Sequence, residues 1–287
     1  MSANGRAVAP GNELHSGPAC GAPGADAQSP LGADLGRRFG GVARLYGAAA
    51  LERFGRARIG VVGLGGVGTW AAEALARSGA GRLRLIDLDH VSESNTNRQI
   101  HALDTEFGKA KVVAMAERIR LIHPGAQVEA VEEFVTAENA AALLQGLDLV
   151  IDCIDQVAAK AALIAQAHGA GLRVITCGGA GGRKDPARIR RDDLARSRGD
   201  PLLAALRHRL RHEYGYSRAA GKQVPRFGIA AVFSDEALAW PVAEAAAEDA
   251  AAPGSPLACG GYGSAVTVTG TMGFAAAACA LEQLQAD

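Results

Sequence analysis

Aromatic side chains make up only 5% of this 287-residue chain, its formal net charge is zero, and no two of its cysteines form a CxxC pair. Each scarcity excludes something. Lys plus Arg equals Asp plus Glu at 30 each, which disfavours both a uniformly basic nucleic-acid protein and an acidic disordered chain. The five cysteines (Cys20, Cys153, Cys177, Cys259 and Cys279) are odd in number and spread singly, so neither a zinc ribbon nor a disulfide framework is readable. That distribution points to a reducing, cytoplasmic setting. Lysine and arginine are missing from residues 227–287, and residues 251–281 carry no charge at all. This run raises the question of a bilayer helix, but Pro253, Pro256, six glycines and many Thr and Ser residues break it. A buried strand or helix of the sheet core is expected there, with peripheral membrane contact the less favoured reading.

Residues 1–36 are rich in Gly, Ala, Pro and Ser and show no sustained apolar period. Such a segment buries too little surface to offset its chain entropy, so a disordered tail is expected. It lacks the basic start and compact apolar run of a secretory signal. The length suits one large α/β domain or two small ones, and a single domain over 37–287 is expected.

Within that domain apolar runs alternate in period. Strands are expected at Arg58–Val62, Leu83–Asp87, Gln127–Val131, Leu147–Cys153 and Arg173–Thr176. Between them, helices are expected from Thr69 to about Arg77, around Lys109–Ile122, at Ala137–Gln145 and at Val157–His168. This rhythm predicts an α/β fold: a Rossmann-like, mostly parallel sheet with helices on both faces, completed by a C-terminal extension of strands and helices.

The first strand runs into GLGGVG (residues 63–68), so Gly63, Gly65 and Gly68 satisfy GxGxxG between a strand and a helix, and Asp87 closes the next strand. Taken alone this is the dinucleotide fingerprint, in which glycines permit a tight turn and close phosphate approach while a carboxylate takes ribose hydroxyls. NAD, FAD and other nucleotides all remain open at that point. The segment LIDLDHVSESNTNRQIHAL (residues 85–103) then places Asp87, Asp89, Asn95, Asn97 and Arg98 close together. Hydride transfer has no use for that density of polar groups, whereas a triphosphate does. Arg98 can fork onto phosphate oxygens, and Lys111 of GKAK (residues 108–111) supplies a point charge at a helix start. Asp155, ending VIDCID (residues 150–155), is placed to hold magnesium opposite them.

These pieces together resemble the adenylating enzymes related to ubiquitin-activating enzymes, including the molybdopterin- and thiamine-pathway adenylyltransferases. Within that group RFGGVARLYG (residues 38–47), NTNRQIHAL (95–103), CGGAGGRKDP (177–186) and FSDEAL (233–238) look most like the tRNA threonylcarbamoyladenosine dehydratases. The resemblance implies that Gly63, Gly65, Gly66 and Gly68 cradle the phosphates of ATP. It implies that Asp87 binds the ribose, that Asp89 is a further cofactor-binding residue, that Asn95, Arg98 and Lys111 contact the triphosphate, and that Asp155 holds Mg2+. Arg44 matches an arginine that a dimer partner inserts into the neighbouring site, which implies a homodimer. Read without the resemblance, Arg44 is an ordinary surface residue of an N-terminal helix.

The implied reaction dehydrates a threonylcarbamoyl group on the adenosine beside the tRNA anticodon. Its carboxylate is adenylated by ATP, and an internal nitrogen or oxygen then closes the ring and expels AMP. The alternative is an adenylyltransferase acting on the C-terminal glycine of a ubiquitin-like sulfur carrier. Such enzymes commonly hold zinc through two CxxC pairs, so no zinc is expected here. An inactive scaffold in a sulfur-transfer complex is a third reading, and a sulfur-transfer protein remains open as a partner. A nicotinamide oxidoreductase ranks last. Cys177 and Cys259 are each conceivable nucleophiles, though a small buried hydrophobe is the commoner fate of such a cysteine.

A tRNA substrate gives one more segment a purpose. Residues 183–226 carry 13 Lys/Arg against 5 Asp/Glu, so the zero net charge hides a local excess of eight positive charges. In PLLAALRHRLRHE (residues 201–213), Leu203, Leu206 and Leu210 can form a buried helix face, while Arg207, Arg209 and Arg211 form a row for phosphate contacts. The competing reading is a helix whose arginines pair with acids elsewhere.

Overall fold

Short runs of apolar and β-branched residues, buried on both faces, build the centre of a parallel sheet. In the computed structural model, which describes Met1 and residues 33–218, 224–239 and 262–286, β1 (Arg58–Val62) lies at that centre. It pairs in parallel with β2 (Arg82–Ile86) on one side and β4 (Leu149–Asp152) on the other. β3 (Gln127–Val131) extends the sheet beyond β2, and β5 (Arg173–Cys177) then β7 (Ala230–Ser234) extend it beyond β4, all parallel. β6 (Ile189–Asp193) closes that edge antiparallel to β7. The order is β3-β2-β1-β4-β5-β7-β6, so the chain reverses its winding between β1 and β4. Ligands of open α/β sheets bind at such a switch point, beyond the carboxyl ends of the strands.

Alternate side chains of the strands feed two cores. Ile59, Val61, Leu83 and Leu85 pack with Phe54, Leu75, Met115 and Met272, drawn from α2 (Ala48–Arg56), α3 (Gly68–Arg77), α4 (Lys111–Ile122) and α8 (Val266–Gln285). Val62, Val150, Val174 and Ala231 pack with Leu143, Leu163 and Leu206, drawn from α5 (Ala140–Leu144), α6 (Val157–Gly169) and α7 (Pro201–Glu213). Helices therefore cover both faces, as the alternating pattern predicts.

Several boundaries shift. The fold begins with α1 (Leu35–Tyr46), capped by the Asp34 carboxylate accepting from Arg37 N, two residues before the expected start. The tail expected over 1–36 lies almost wholly outside the described residues. The uncharged run resolves, from Val266 on, into α8. Gly273 lets this helix approach α3, since a methyl group there would lie 2.5 Å from the Val67 carbonyl oxygen and 2.9 Å from Ala71 N. Among the described residues no helix is long and apolar enough to cross a membrane.

Arginine has a structural use at the opposite end of the sheet. In this winding the helices on both faces end there, leaving carbonyl groups without intrahelical partners. Arg38 caps Leu121 O and Ile122 O of α4, Arg53 caps Leu284 O and Gln285 O of α8, and Arg84 caps Leu143 O and Gln145 O of α5. A cavity of ≈ 550 Å³ lined by Arg58, Arg82, Arg84 and Arg120 opens beside them.

Candidate active site

Three glycines do three different jobs in the loop between β1 and α3. Gly63 has φ +86°, and a methyl group there would lie 2.9 Å from the Cys153 carbonyl, so only glycine makes this turn. A methyl group at Gly68 would collide with the Gly63 carbonyl oxygen, which is what lets α3 start against the strand. Gly65 has nothing within 4 Å of its absent side chain and faces a cavity of ≈ 550 Å³ at the switch point. The loop is backed from outside: a methyl group at Gly66 would meet Thr269 of α8 at 3.0 Å and Arg98 at 3.2 Å.

The cavity gathers nearly every residue singled out from the sequence: Gly63, Gly65, Gly66, Asp87, Asp89, Asn95, Arg98, Lys111 and Asp155 line it. Asp87, directly after β2, accepts hydrogen bonds from Leu64 N at 2.5 Å and Asp89 N at 2.8 Å. Burial raises its carboxyl above the ordinary range, and the Lys111 charge opposes that shift. Lys111 is the first residue of α4, and its Nζ donates to Asp89 Oδ2 at 2.7 Å. Asn95 is buried, and its Oδ1 accepts from Ser92 N at 3.1 Å, locking the short 3-10 turn Glu93–Asn95. Arg98 donates to Ser94 O and to Asn97 Oδ1, both at 2.8 Å, while its carbonyl accepts from Trp70 Nε1.

Asp155 does not end a strand. β4 stops at Asp152, and Asp155 stands exposed three residues later, in the loop before α6. Asp152 is instead fully buried and bonded to Lys160 Nζ at 2.8 Å and to Thr176 Oγ1 at 2.7 Å. The pair was hidden in the sequence; its only signals were an acid inside an apolar strand and a lone lysine in an Ala-rich helix.

Two further cavity residues, Phe134 and Gln99, carry no distinct signal in the sequence, and neither does His101. Phe134, just past β3, is 54% exposed and lines the cavity, offering a ring face to a base. Gln99 also lines it, with Oε1 buried and unpartnered, and nearby His101 is buried with both ring nitrogens unpartnered. Burial, helped by Lys111, lowers His101 to about 4.

Arg44 is exposed on α1 and is not among the residues lining this cavity. Cys177 is buried at the end of β5, with its thiol 3.8 Å from that of Cys153 on the cavity floor. The bond to Cys177, together with burial, pushes the Cys153 thiol well up, away from the thiolate a nucleophile needs. Cys20 and Cys259 lie outside the described residues.

The basic segment is less free than its charge suggests. Leu203, Leu206 and Leu210 are buried as expected. Arg183 pairs with Asp200 at 3.2 Å in the interior. Arg188 and Arg190 both bind Asp235, and Arg191 binds Glu282. On α7, Arg209 pairs with Glu213 at 2.8 Å, and Arg211 lies 5.4 Å from the Phe227 ring centre. Arg207 is only half-exposed and donates to the Ser197 hydroxyl, so it turns off the outward face expected for it.

With the geometry in view, the likeness to known proteins becomes specific. Residues 40–285 match the ThiF family. The tRNA threonylcarbamoyladenosine dehydratase of Escherichia coli K12 is 48% identical over 256 residues, covering 87% of this chain and 94% of that protein. The structure of E. coli tRNA N6-threonylcarbamoyladenosine dehydratase in complex with ATP superposes with a TM-score of 0.78 at 46% identity, covering 88% of this chain and 95% of the other. Its complex with AMP gives a TM-score of 0.77 over the same shares. This chain therefore belongs to the ThiF family and, within it, to the tRNA threonylcarbamoyladenosine dehydratases.

Proposed function

We propose that this protein is an ATP-dependent dehydratase that closes the threonylcarbamoyl group of the adenosine beside the tRNA anticodon into a ring. The observation that carries the reading is one cavity at the switch point, where a glycine loop open to a phosphate, the half-buried Asp87 carboxylate and the charges of Arg98, Lys111 and Asp155 meet. ATP fits these residues. Asp87 accepts from ribose hydroxyls, Phe134 stacks on the base, and Gly65 leaves room for phosphate beside backbone N–H groups at the start of α3.

The substrate carboxylate is a poor electrophile because its oxygen is a bad leaving group. Its oxygen attacks the α-phosphorus, the bond to the β-phosphate breaks, and pyrophosphate departs, leaving an acyl-AMP. An internal nitrogen or oxygen of the same substituent then attacks the carbonyl carbon and loses its proton as AMP leaves. The net change in the substrate is loss of water. Arg98 and Lys111 offset the charge that builds on the departing phosphates, and the loop fixes the line of attack.

Mg2+ fits Asp155 as well. Among the described residues no group of three or more His, Cys, Asp or Glu forms a separate metal cage, and magnesium is commonly held by one or two carboxylates with substrate phosphates and water. When bound, it supplies positive charge to the phosphate oxygens. Arg44, exposed and outside its own cavity, completes the site of a second copy in a homodimer. The tRNA body rests on the basic segment, where Lys184, Arg196, Arg198, Arg218 and Arg226 are exposed. The setting is cytoplasmic, in keeping with the free thiols of Cys153, Cys177 and Cys279.

Nucleoside mass spectrometry on a strain lacking the protein tests the reading, with gentle handling to preserve the ring. Cyclic threonylcarbamoyladenosine should vanish and return with the intact gene. Its persistence would end the proposal.

A further inference from the structure

We infer that Lys160 is a positioning residue for adenylation: through Asp152 it fixes the loop that presents Asp155 to the nucleotide. The inference rests on the reading of Asp155 given above.

Both side chains of the pair are 0% exposed. The Lys160 ammonium spends its three N–H groups on Asp152 Oδ2 at 2.8 Å, Ile154 O at 2.9 Å and Asp152 O at 3.4 Å. The Asp152 carboxylate in turn accepts from Thr176 Oγ1 at 2.7 Å and from Ile154 N at 3.1 Å. The bonds of the pair are thus directed at the end of β4, at its neighbour β5, and at Ile154. Asp155 is the next residue, and its carboxylate is exposed with no partner among the described residues. Its place above the cavity is therefore set by the backbone alone.

Stability does not explain such a pair. Taking two charges out of water costs about as much as their attraction returns, and apolar residues of the same volume would serve the core as well or better. What a lysine adds over an apolar side chain is a directed grip on the Asp152 and Ile154 carbonyls, on the stretch between the Cys153 N bond to Val62 O and the first turn of α6. A displacement of about 1 Å at a reacting group costs on the order of a hundredfold in rate, so such a grip has catalytic value.

The test compares Lys160→Met, Lys160→Arg, Thr176→Val and Asp155→Ala in the full chain. Two measurements are made: amide hydrogen exchange of residues 153–156 without nucleotide or magnesium, and steady-state pyrophosphate release with modified tRNA. For Lys160→Met, exchange in 153–156 should rise at least about tenfold, and kcat should fall about a hundredfold with KM for ATP moving less than about threefold. Lys160→Arg should recover part of both. Thr176→Val removes one bond to Asp152 and leaves the pair, so it should move both readouts in the same direction by less. It decides the matter if Lys160→Met does not fold. Exchange and kcat both within about twofold of wild type would overturn the inference, as would faster exchange with unchanged kcat. Should Asp155→Ala retain full activity, it is the assignment of Asp155 that fails, a result separate from either outcome at Lys160.

Discussion

Lys111 Nζ lies 2.7 Å from Asp89 Oδ2, with the lysine side chain 7% exposed and the aspartate 58%. The cation is enclosed and its partner stands in water, so a triphosphate can replace the aspartate while the lysine stays in place. Lys111→Ala should raise KM for ATP about tenfold or more through loss of a charge-assisted contact. It should also change the pH dependence. In the proposed site an ionised Asp87 is the stronger acceptor for ribose, burial raises its pKa, and Lys111 opposes that rise. ATP affinity is therefore lost as pH falls through the Asp87 pKa, and the loss should begin at higher pH in Lys111→Ala. Calorimetric ATP titration at stepped acidic pH measures this; superimposable profiles would contradict it.

Gly65 and Gly68 should fail differently. Gly65→Ala places a methyl group in open space facing the phosphates, so the protein should fold with an unchanged Tm and bind ATP about tenfold more weakly. Gly68→Ala drives the same methyl group into the Gly63 carbonyl and should cost about 2 kcal/mol or more in stability. Thermal melts beside ATP titrations separate the two, and equal Tm losses would refute the distinction.

His101 makes stability depend on acid. Its pKa falls from 6.5 unfolded to about 4 in the fold. The unfolded chain therefore binds the extra proton first, and the contribution present above pH 6.5 is lost as pH falls towards 4. The full shift is worth about 3 kcal/mol. His101→Phe should flatten this part of the stability curve in urea unfolding at stepped pH, and an unchanged slope would remove His101 from the account.

The arginines of α7 should separate by role. Arg209→Ala and Arg211→Ala should each lower the salt slope of tRNA binding by about one. Arg207 is half-buried on Ser197, and both burial and Arg211 lower its pKa. Arg207→Ala should therefore lower Tm while leaving the salt slope nearly unchanged. Equal slopes for all three variants would restore the simple basic row.

Local pattern was a good guide wherever a residue's neighbours in sequence are also its neighbours in space. β1 and β3 fall where alternation places them, and the glycine loop, Asp87 and Lys111 meet because strand, turn and helix are consecutive. Long-range pairing was not readable. Arg188 and Arg190 meet Asp235 across β6 and β7, and Arg191 meets Glu282 on α8, so the charge excess of 183–226 is offset by acids far along the chain. The same limit hid Asp152 and Lys160: an acid in VIDCID reads equally well as a ligand or a core group until the facing helix is known. Phe134 was missed because a single aromatic after an edge strand has no period.

The packing of α8 against the nucleotide loop has a consequence in time. Thr269 backs Gly66, and Gly273 sits against Val67 and Ala71, yet the ribosome completes the loop long before it reaches Val266. A nascent chain thus carries every residue proposed to bind phosphate without the wall that backs the loop. Chains released before Val266 should bind no ATP, and competence for nucleotide should appear only once α8 has been made.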